Sequence, residues 1–386
     1  VAVGRQASTR LSAGREGMLT LWDMVAQRAA AHPDKIAVIG DGCRLSYREL
    51  EAQTRSVAGF LRRLGLQKGN RVAVVLEKTP EFVVSFLGIV AAGGVVYPVD
   101  PGARPDVAAQ TARHIHPSLM IAAERFLPWL SSFCPLPPSA CIVVGAASRT
   151  PAGHPWEEAA SGAPLNRSDI QLEPTDPAYL NFSSGSTGTP KAVLATHANI
   201  YWNTVAVVEA LELTGEDVHL CMFPPFLHPH EILARPLFLG GAMVLLKSVS
   251  PRVILQAVAD HAVTCMHATA SVYGAMARFQ SRQAAGHGSL RLAESGGMTP
   301  PPDVPERFEE AFGIPLTPVW GSAETTGVAV VCSPRRGEPK EGIGRPCPHY
   351  EVKAMDDSGR EAGADQVGEM WIRGPAVAAP YPIAGS

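Results

Sequence analysis

The chain has 386 residues, of which 46% are apolar and 18% are charged, and its net charge is −3. A chain of this length exceeds the roughly 250–300 residues that one hydrophobic core supports, so we expect at least two subdomains. The small net charge and the lack of a basic stripe argue against nucleic acid as a partner. No apolar run reaches the roughly 18 residues that a membrane span needs.

The start of the chain contains three arginines but no apolar segment after them. A secretory signal peptide requires such a segment, so we interpret residues 1–19 as a mobile leader. The seven cysteines are odd in number, widely scattered and mostly set in apolar runs. This pattern favours buried free thiols in a reducing cytoplasm over disulfides or a metal site.

Helix and strand patterns alternate in the first part of the chain. Leu21–Pro33 has apolar residues at helical spacing, and Lys35–Ile39 has the composition of a short strand. A longer helix opens near Leu45 and ends at the glycines that follow it. Val72–Leu76 is a continuous apolar run, and Pro80–Ala92 is helical again. The alternation predicts layered α/β sheets that are flanked by helices.

The turn Ala91–Pro101 follows, and its glycine pair ends the preceding helix while its prolines shape the chain after a strand. Residues 102–176 form a weaker α/β region whose connections are rich in Pro, Ala and Ser. Nothing in this region carries obvious chemistry.

The strongest chemical signal is the stretch Tyr179–Lys191, where a strand-like run leads into Ser, Gly and Thr residues and then Pro and Lys. Glycines let backbone N–H groups approach an anion, hydroxyls add short donors, and the lysine adds charge. The spacing is not G-x-x-x-x-G-K-S/T, because a Thr-Pro pair precedes the lysine and no hydroxyl follows it. A Ser/Gly linker is the alternative. The predicted phosphate-binding residues are Ser183, Ser184, Gly185, Ser186, Thr187, Gly188, Thr189 and Lys191.

This loop resembles the S/T-S/T-G-S/T-T-G-x-P-K loop of the adenylate-forming enzymes. That superfamily contains acyl- and aryl-CoA ligases, luciferases and the adenylation domains of nonribosomal peptide synthetases. Ala91–Pro101 resembles a second motif of the same superfamily, in the right order. The resemblance implies two layered α/β subdomains, with αβαβα-type sheets flanked by helices, and a small β subdomain. We place these parts at residues 20–176, 177–333 and 334–386.

After the loop, Ala198–Leu211 is a predicted helix and Val218–Phe223 a predicted strand. The segment Phe223–Ile232 then resembles the family's P-x-F/Y-H segment, which borders the carboxylate and gates the acyl site. His228 matches the histidine of that motif, whereas Leu227 stands where an aromatic residue is usual. A structural histidine is the alternative interpretation.

Domains that activate α-amino acids carry an F-D-x-S pattern instead, whose Asp pairs with the substrate ammonium. No acidic residue lies between Phe223 and His230, which argues against an ordinary α-amino acid, although Glu231 stays open as a shifted partner.

Pro236–Leu246 and Val253–His261 continue the alternation, and Val263–Ala268 is a further predicted strand. In open parallel sheets ligands bind beyond the carboxyl ends of the strands, which makes His267 a candidate for an acyl pocket. A structural role is the default for this histidine. The predicted substrate pocket consists of Phe226, Leu227, His228, His267, Ser295 and Gly296.

Two further motifs complete the predicted nucleotide site. Arg291–Met298 resembles the family's S-G-G-A-P-L turn, whose glycines let the backbone approach adenine. A plain β-turn is the alternative. Val319–Thr326 resembles the motif Y/W/F-G-x-T/S-E-T/A, in which the aromatic stacks on adenine and the Glu helps to hold Mg²⁺, a cation that prefers oxygen ligands. The cofactor-binding residues that these motifs imply are Gly296, Gly297, Met298, Trp320, Gly321, Ser322, Ala323 and Glu324, with Glu324 as the metal ligand.

This chain departs from the family pattern at two positions. Ala323 replaces a hydroxyl residue, and Pro318 stands where many members have an Asn or Asp that reads the adenine amine. These departures motivate the hypothesis of a degenerate module that serves as a docking or scaffold unit for a carrier protein.

The last segments, Gly342–Pro346 and Val367–Pro375, resemble the family's small β subdomain. The sequence stops at Ser386, before the expected T-G-D segment and the mobile C-terminal domain with its catalytic Lys. We therefore expect the large N-terminal portion of an adenylating enzyme, which binds ATP or acyl-AMP but forms adenylate slowly by itself.

The reaction that the resemblance implies is attack of a carboxylate on the α-phosphorus of ATP, with Mg²⁺, to give acyl-AMP and pyrophosphate. The acyl group then passes to CoA or to the phosphopantetheine of an acyl or peptidyl carrier protein. Alignment and charge stabilisation are the main demands on the protein. An aryl or acyl acid is favoured, and an amino-acid-activating domain with an atypical pocket is an alternative. The residues expected to act in catalysis are His228, Thr187, Lys191 and Glu324.

Overall fold

The computed structural model describes residues 17–131, 134, 136–145, 153–183, 191–280, 288–333 and 342–380, with the backbone alone at residues 183, 191 and 380. Its helices are α1 (Leu21–Ala31), α2 (Tyr47–Arg63), α3 (Pro80–Ala91), α4 (Pro105–Ile115), α5 (Leu127–Leu130), α6 (Trp156–Ala160), α7 (His197–Leu211), α8 (His230–Leu239), α9 (Pro251–Asp260), α10 (Ala270–Gln280) and α11 (Asp303–Phe312). Its strands are β1 (Ile36–Gly40), β2 (Cys43–Ser46), β3 (Arg71–Val75), β4 (Val95–Pro98), β5 (Leu119–Ala123), β6 (Cys141–Val144), β7 (His154–Pro155), β8 (Pro177–Ser183), β9 (Lys191–Thr196), β10 (Val218–Cys221), β11 (Ala242–Leu245), β12 (Cys265–Ala268), β13 (Leu292–Ser295), β14 (Leu316–Ser322), β15 (Gly327–Val331), β16 (Arg345–Pro346), β17 (Glu351–Met355), β18 (Glu369–Arg373) and β19 (Ala379–Pro380).

Two large mixed sheets organise these strands. The nine-stranded sheet has the order β16-β15-β14-β13-β12-β10-β11-β1-β2, and its strands from β14 to β1 run parallel. The eight-stranded sheet has the order β19-β9-β8-β4-β3-β5-β6-β7. Strands β17 and β18 form a separate antiparallel pair. The helices that connect the parallel strands confirm the predicted α/β class with layered sheets.

Sheet membership crosses the predicted boundary between residues 176 and 177. Strands β1 and β2 lie in the nine-stranded sheet with the later part of the chain, whereas β8 and β9 lie in the eight-stranded sheet with the earlier part. Because neither large sheet is confined to one predicted range, the subdomain ranges of the sequence analysis stay a prediction. The predicted leader and the end of the chain fall mostly outside the described residues.

One apolar core joins the two large sheets. It contains Val38 of β1 and Val74 of β3 together with Val57 of α2 and Val83 of α3. Helix α3 is buried along nearly its whole length, which suits its continuous apolar sequence. Separate cores cover the opposite faces of the two sheets. The two sheets are thus fixed relative to each other by shared packing.

Helix starts follow local capping chemistry. Ser46 caps α2 by accepting the Glu49 N–H, and the Glu49 carboxylate accepts the Ser46 N–H in return, so the helix begins at Tyr47 and not at Leu45. The residues just before it form the edge strand β2. No helix in the described ranges combines the length and apolarity needed to cross a bilayer. All seven cysteines are free thiols, and only Cys43 is exposed.

Candidate functional site

The carboxyl ends of four neighbouring strands meet at one edge of the nine-stranded sheet. The register pairs Cys221 with His267, Ala268 with Ser295, and Ser295 with Pro318. The segments that follow β10, β12, β13 and β14 therefore lie side by side, as expected for a ligand site in an open parallel sheet.

The glycine turn after β13 lies directly against the neighbouring strand ends. A Cβ atom on Gly296 would lie 3.1 Å from His267 Nε2 and 3.1 Å from Val319 Cγ2. Gly297 has a φ of +81°, in the left-handed region that favours glycine. His267 also packs edge-on against Phe223, with ring centroids 4.6 Å apart. Gly296 thus lets the turn lie close to His267 and Val319, where a Cβ would be crowded, and Gly297 permits the left-handed conformation of the turn.

His228 lies two residues before the start of α8 and has a positive φ of 50°, which is uncommon for residues other than glycine. Its Nδ1 is 3.1 Å from Asn181 Nδ2, in the strand that leads into the predicted phosphate loop. The Asn181 amide oxygen accepts the Phe182 N–H, so the amide nitrogen faces the imidazole. Burial lowers the pKa of His228, which favours the neutral ring. Nδ1 is then the acceptor, and Nε2 carries the proton as a donor.

His230 has a different environment and belongs to a buried structural network. The Tyr179 hydroxyl lies 2.8 Å from its Nδ1, and Asn203 Oδ1 lies 3.3 Å from its Nε2. Burial lowers the pKa of His230 to about 3, so the ring is neutral. Asn203 in turn donates to the Val328 carbonyl and to the Tyr350 hydroxyl. The network ties α8 to the strand that follows the predicted metal-binding turn.

Four charged side chains are buried between α8 and the strand ends. Arg235 donates to both oxygens of Glu294 at 2.7 and 2.9 Å, and Glu231 Oε2 lies 3.1 Å from His267 Nδ1. Burial opposes the charge on His267, but the carboxylates of Glu231 and Glu294 outweigh it and raise the pKa of His267 to about 10. The four charges then sum to zero, which is how charges are tolerated in a protein interior. We call this set the buried quartet: Glu231, Arg235, His267 and Glu294.

We expect the stability of the chain to peak near pH 6.5. Burial lowers the pKa of His197 and His219 to about 4 and that of His230 to about 3, so stability is lost as pH falls below the unfolded value of about 6.5. The raised pKa of His267 acts in the opposite direction, and its contribution is lost as pH rises above about 6.5. Urea unfolding at a series of pH values measures both limbs. His267→Gln should abolish the decline between pH 6.5 and 8, and a wild-type stability that rises over that interval would contradict the assignment. The comparison is limited to pH values up to 8, because burial lowers the pKa of Lys78 to about 8. Above that pH the folded chain releases this proton more readily than the unfolded chain does, which adds stability.

The turn between β14 and β15 carries Glu324, which is half-buried. The strands cross so closely here that a Cβ on Gly321 would lie 2.1 Å from the Gly327 carbonyl oxygen. Thr325 Oγ1 accepts the Ser322 N–H and donates to the Gly327 carbonyl. The Glu324 carbonyl accepts the Ala378 N–H at 2.8 Å. The turn is therefore fixed from both sides.

Most of the predicted phosphate loop lies outside the described residues: Ser184, Gly185, Ser186, Thr187, Gly188 and Thr189. The strands that bound it pair Ser183 with Lys191 through their backbones. Two residues after Lys191, Val193 packs with Ala323 and Ala378 in a small buried cluster. This contact puts the end of the loop beside the turn that carries Glu324.

The remaining predicted residues differ in exposure. Phe226 and Leu227 are half-buried, and Leu227 packs against the core that joins the sheets. Ser295 is buried, and its hydroxyl has no hydrogen-bond partner in the described part of the chain. Met298 is 58% exposed. Trp320 is half-buried beside the core formed by α7 and β15.

The donors present fit one Mg²⁺ that is shared with a bound nucleotide. Within the described residues, no group of three or more His, Cys, Asp or Glu side chains could form a metal site by itself. Mg²⁺ in nucleotide sites usually binds one or two carboxylates plus phosphates and waters. Glu324, on its fixed turn next to the loop strands, can supply such a carboxylate.

Comparisons with known proteins identify relatives of this chain. The sequence profile described as "AMP-binding enzyme" matches residues 25–381. The chain is 28% identical over 380 residues to naringenin synthase from Pestalotiopsis fici, covering 93% of this chain and 14% of that protein. It is 29% identical over 368 residues to pyochelin synthase PchD from Pseudomonas aeruginosa, covering 92% and 66%. The chain thus spans less than two thirds of either relative. CoA ligases and nonribosomal peptide synthases also occur among the relatives.

A solved structure shows the same fold. The anthranilate CoA ligase AuaEII, solved in complex with anthranoyl-AMP, superposes with a TM-score of 0.85 over 94% of this chain and 71% of that one. The sequence identity is 21%, so this likeness concerns the fold alone.

Proposed function

The chain belongs to the AMP-binding enzymes, the adenylate-forming superfamily, and from this premise we propose that it activates a carboxylic acid as acyl-AMP with release of pyrophosphate. We propose further that the acid is an aryl or acyl acid without an α-amino group. The activated acyl group would pass to CoA or to the phosphopantetheine of a carrier protein.

One observation carries the proposal: three separate motifs lie at the carboxyl ends of strands of the nine-stranded sheet, and two of them contact β8 and β9 of the eight-stranded sheet. The Gly296 turn abuts His267, and His228 contacts Asn181 at the entry to the loop. The Glu324 turn contacts the exit strand of the loop through Val193. Segments far apart in sequence are thus adjacent, as the proposed reaction of an acid with a nucleotide and a metal requires.

The chain's own residues suit the demands of such a reaction. The neutral imidazole of His228 can donate its Nε2–H to a carboxylate or phosphate oxygen, and the ring itself carries no charge that needs a counter-ion. The glycine turn at Gly296 leaves a flat backbone surface for a purine ring. Bound Mg²⁺ would neutralise developing charge on phosphate oxygens, and Glu324 is the residue that would hold it.

The environment of Glu231 supports an acid without an α-amino group. This residue was the one acidic candidate for pairing with a substrate ammonium. Its carboxylate accepts the Val328 N–H at 3.1 Å and lies 3.1 Å from His267 Nδ1. Its side chain is only 4% exposed. A carboxylate that is already engaged in this way is a poor counter-ion for a substrate ammonium.

The surroundings of Ala323 weaken the scaffold alternative. The methyl group of Ala323 is buried with Val193 and Ala378, so the replacement of a hydroxyl residue serves packing there. This packing gives the replacement a structural explanation that does not require a degenerate site. Pyrophosphate exchange by the full-length protein, scanned over aryl, fatty and β-amino acids, separates the two functions, because a scaffold would exchange with none of them.

Isothermal titration of this chain with sulfamoyl mimics of benzoyl-AMP, octanoyl-AMP and phenylalanyl-AMP tests the proposal directly. We expect binding of the benzoyl or octanoyl mimic in roughly the micromolar range, about −8 kcal/mol, and no binding of the phenylalanyl mimic. Absence of heat with all three at high micromolar concentration would sink the proposal. Preference for the phenylalanyl mimic would restore the amino-acid alternative.

Gly296→Ala should weaken binding of the preferred mimic about tenfold, equivalent to about 1.4 kcal/mol. The added Cβ would lie 3.1 Å from His267 Nε2 and from Val319 Cγ2, so either the turn or these two buried side chains must shift by a few tenths of an ångström. Gly288→Ala is the matched control, since a Cβ there meets nothing within 4 Å. Equal affinities of the two variants would show that the turn does not border the ligand.

A further inference from the structure

Glu231 contacts both halves of the proposed site with one carboxylate. Its Oε2 lies 3.1 Å from His267 Nδ1, which borders the glycine turn. Its Oε1 accepts the N–H of Val328 at 3.1 Å. Val328 is the second residue of β15, directly after the turn that carries Glu324. Glu231 therefore bridges the wall of the acid pocket and the base of the metal-binding turn.

The backbone at the base of that turn fits closely around this carboxylate. Gly327 has a φ of +98°, and a Cβ there would lie 2.4 Å from Glu231 Oε1 and 3.1 Å from His230 Nε2. No other residue type fits this conformation and this space without displacement of the carboxylate. The absence of a side chain at Gly327 thus leaves the space that the Glu231 carboxylate occupies.

The charge on Glu231 is held by its neighbours. Burial favours the neutral acid, but the positive charges of His267 and Arg235 outweigh it and hold the pKa of Glu231 well below its usual range. An ionised carboxylate accepts a backbone N–H more strongly than a neutral group does. The bond to Val328 is therefore a charge-assisted one in a buried setting.

We propose that Glu231 is a positioning residue that fixes the Glu324 turn relative to the acid pocket and thereby sets the affinity of the site for Mg²⁺ with ATP. In this role Glu231, whose side chain is only 4% exposed, acts through its bond to Val328 and not by contact with a ligand. The inference rests on the proposed function for its ligand.

The test compares Glu231→Gln with Glu294→Gln. Both variants remove one carboxylate from the buried quartet and one charge near Arg235, but only Glu231 contacts β15. Binding of ATP is titrated against Mg²⁺, and adenosine serves as the metal-independent probe. We expect Glu231→Gln to raise the half-saturating Mg²⁺ about tenfold with less than a twofold change for adenosine. Glu294→Gln should lower the melting temperature but leave the Mg²⁺ requirement unchanged. Equal Mg²⁺ shifts in both variants, or none in Glu231→Gln, would overturn the proposal.

Two further measurements keep the proposal testable if Glu231→Gln folds poorly or if ATP does not bind. Glu231→Asp keeps the charge but shortens the side chain, so it should reproduce the Mg²⁺ shift through loss of reach to Val328. Amide hydrogen exchange at Val328 should be faster in Glu231→Asp than in Glu294→Gln, with no ligand present. Failure of wild-type ATP binding would refute the proposed function, whereas equal exchange at Val328 would refute the positioning role alone.

Discussion

Arg235→Met is expected to lower the free energy of unfolding by about 3–5 kcal/mol, the usual cost of removing one partner from a buried ion pair. Arg235 donates two hydrogen bonds to Glu294, and both side chains are at most 4% exposed. Without it, Glu231 and Glu294 are left with His267 as their one neighbouring positive charge in the quartet. Methionine retains most of the aliphatic part of arginine and has a good helix propensity, so the loss reports the missing guanidinium group and not the helix.

Two controls identify the source of this loss in urea unfolding followed by circular dichroism. The double variant Arg235→Met, Glu294→Gln leaves the neutral pair Glu231–His267 and should recover about half of the loss, because one unpaired buried charge is removed. Arg307→Met breaks an exposed pair with Asp303 at 3.2 Å and should cost less than about 1 kcal/mol. If Arg235→Met cost no more than Arg307→Met, the quartet would not be the buried charged unit described.

Local sequence patterns predicted the α/β class, several helices, and the strands β1, β10 and β12 of the nine-stranded sheet. These elements depend on apolar spacing and capping residues close to one another, such as Ser46 and Glu49 at α2. The pairing of β1 with β11 could not be predicted, because it joins residues about two hundred positions apart in the chain. The edge strand β2 was missed for a related reason, since its half-exposed residues lack a distinctive pattern.

Motifs predicted the backbone features of the site better than its electrostatics. Gly296, Gly297 and Glu324 came from family patterns, and their roles toward ligands stay predictions. Asn181, Arg235 and Glu294 were missed, and so was the pairing of His267 with Glu231, because these partners meet only in the folded chain. A signal was present: Arg235 and Glu294 are charged residues inside otherwise apolar segments. Charged residues are seldom fully buried unless they are paired, so a buried charged partner could have been expected for each of them.

Gly327→Ala is expected to cost about 2 kcal/mol more stability than Gly65→Ala, the value of a charge-assisted hydrogen bond that is displaced in a buried setting. Both glycines have positive φ, +98° and +92°, so both variants carry similar backbone strain, about 1–2 kcal/mol. The surroundings differ, since a Cβ on Gly65 meets nothing within 4 Å, whereas one on Gly327 would lie 2.4 Å from Glu231 Oε1. The difference between the variants therefore isolates the displacement of the carboxylate.

The same pair of variants links stability to the proposed function. If Glu231 must move to admit the new methyl group, its bond to Val328 is lost, and Gly327→Ala should show the raised Mg²⁺ requirement for ATP that is expected of Glu231→Asp. Gly65 lies two residues after the end of α2 and makes no contact with the turn, so Gly65→Ala should leave that requirement unchanged. Equal unfolding costs for the two variants would mean that the carboxylate does not fill the space beside Gly327. A normal Mg²⁺ requirement in a destabilised Gly327→Ala protein would show instead that the Glu324 turn keeps its position without Glu231.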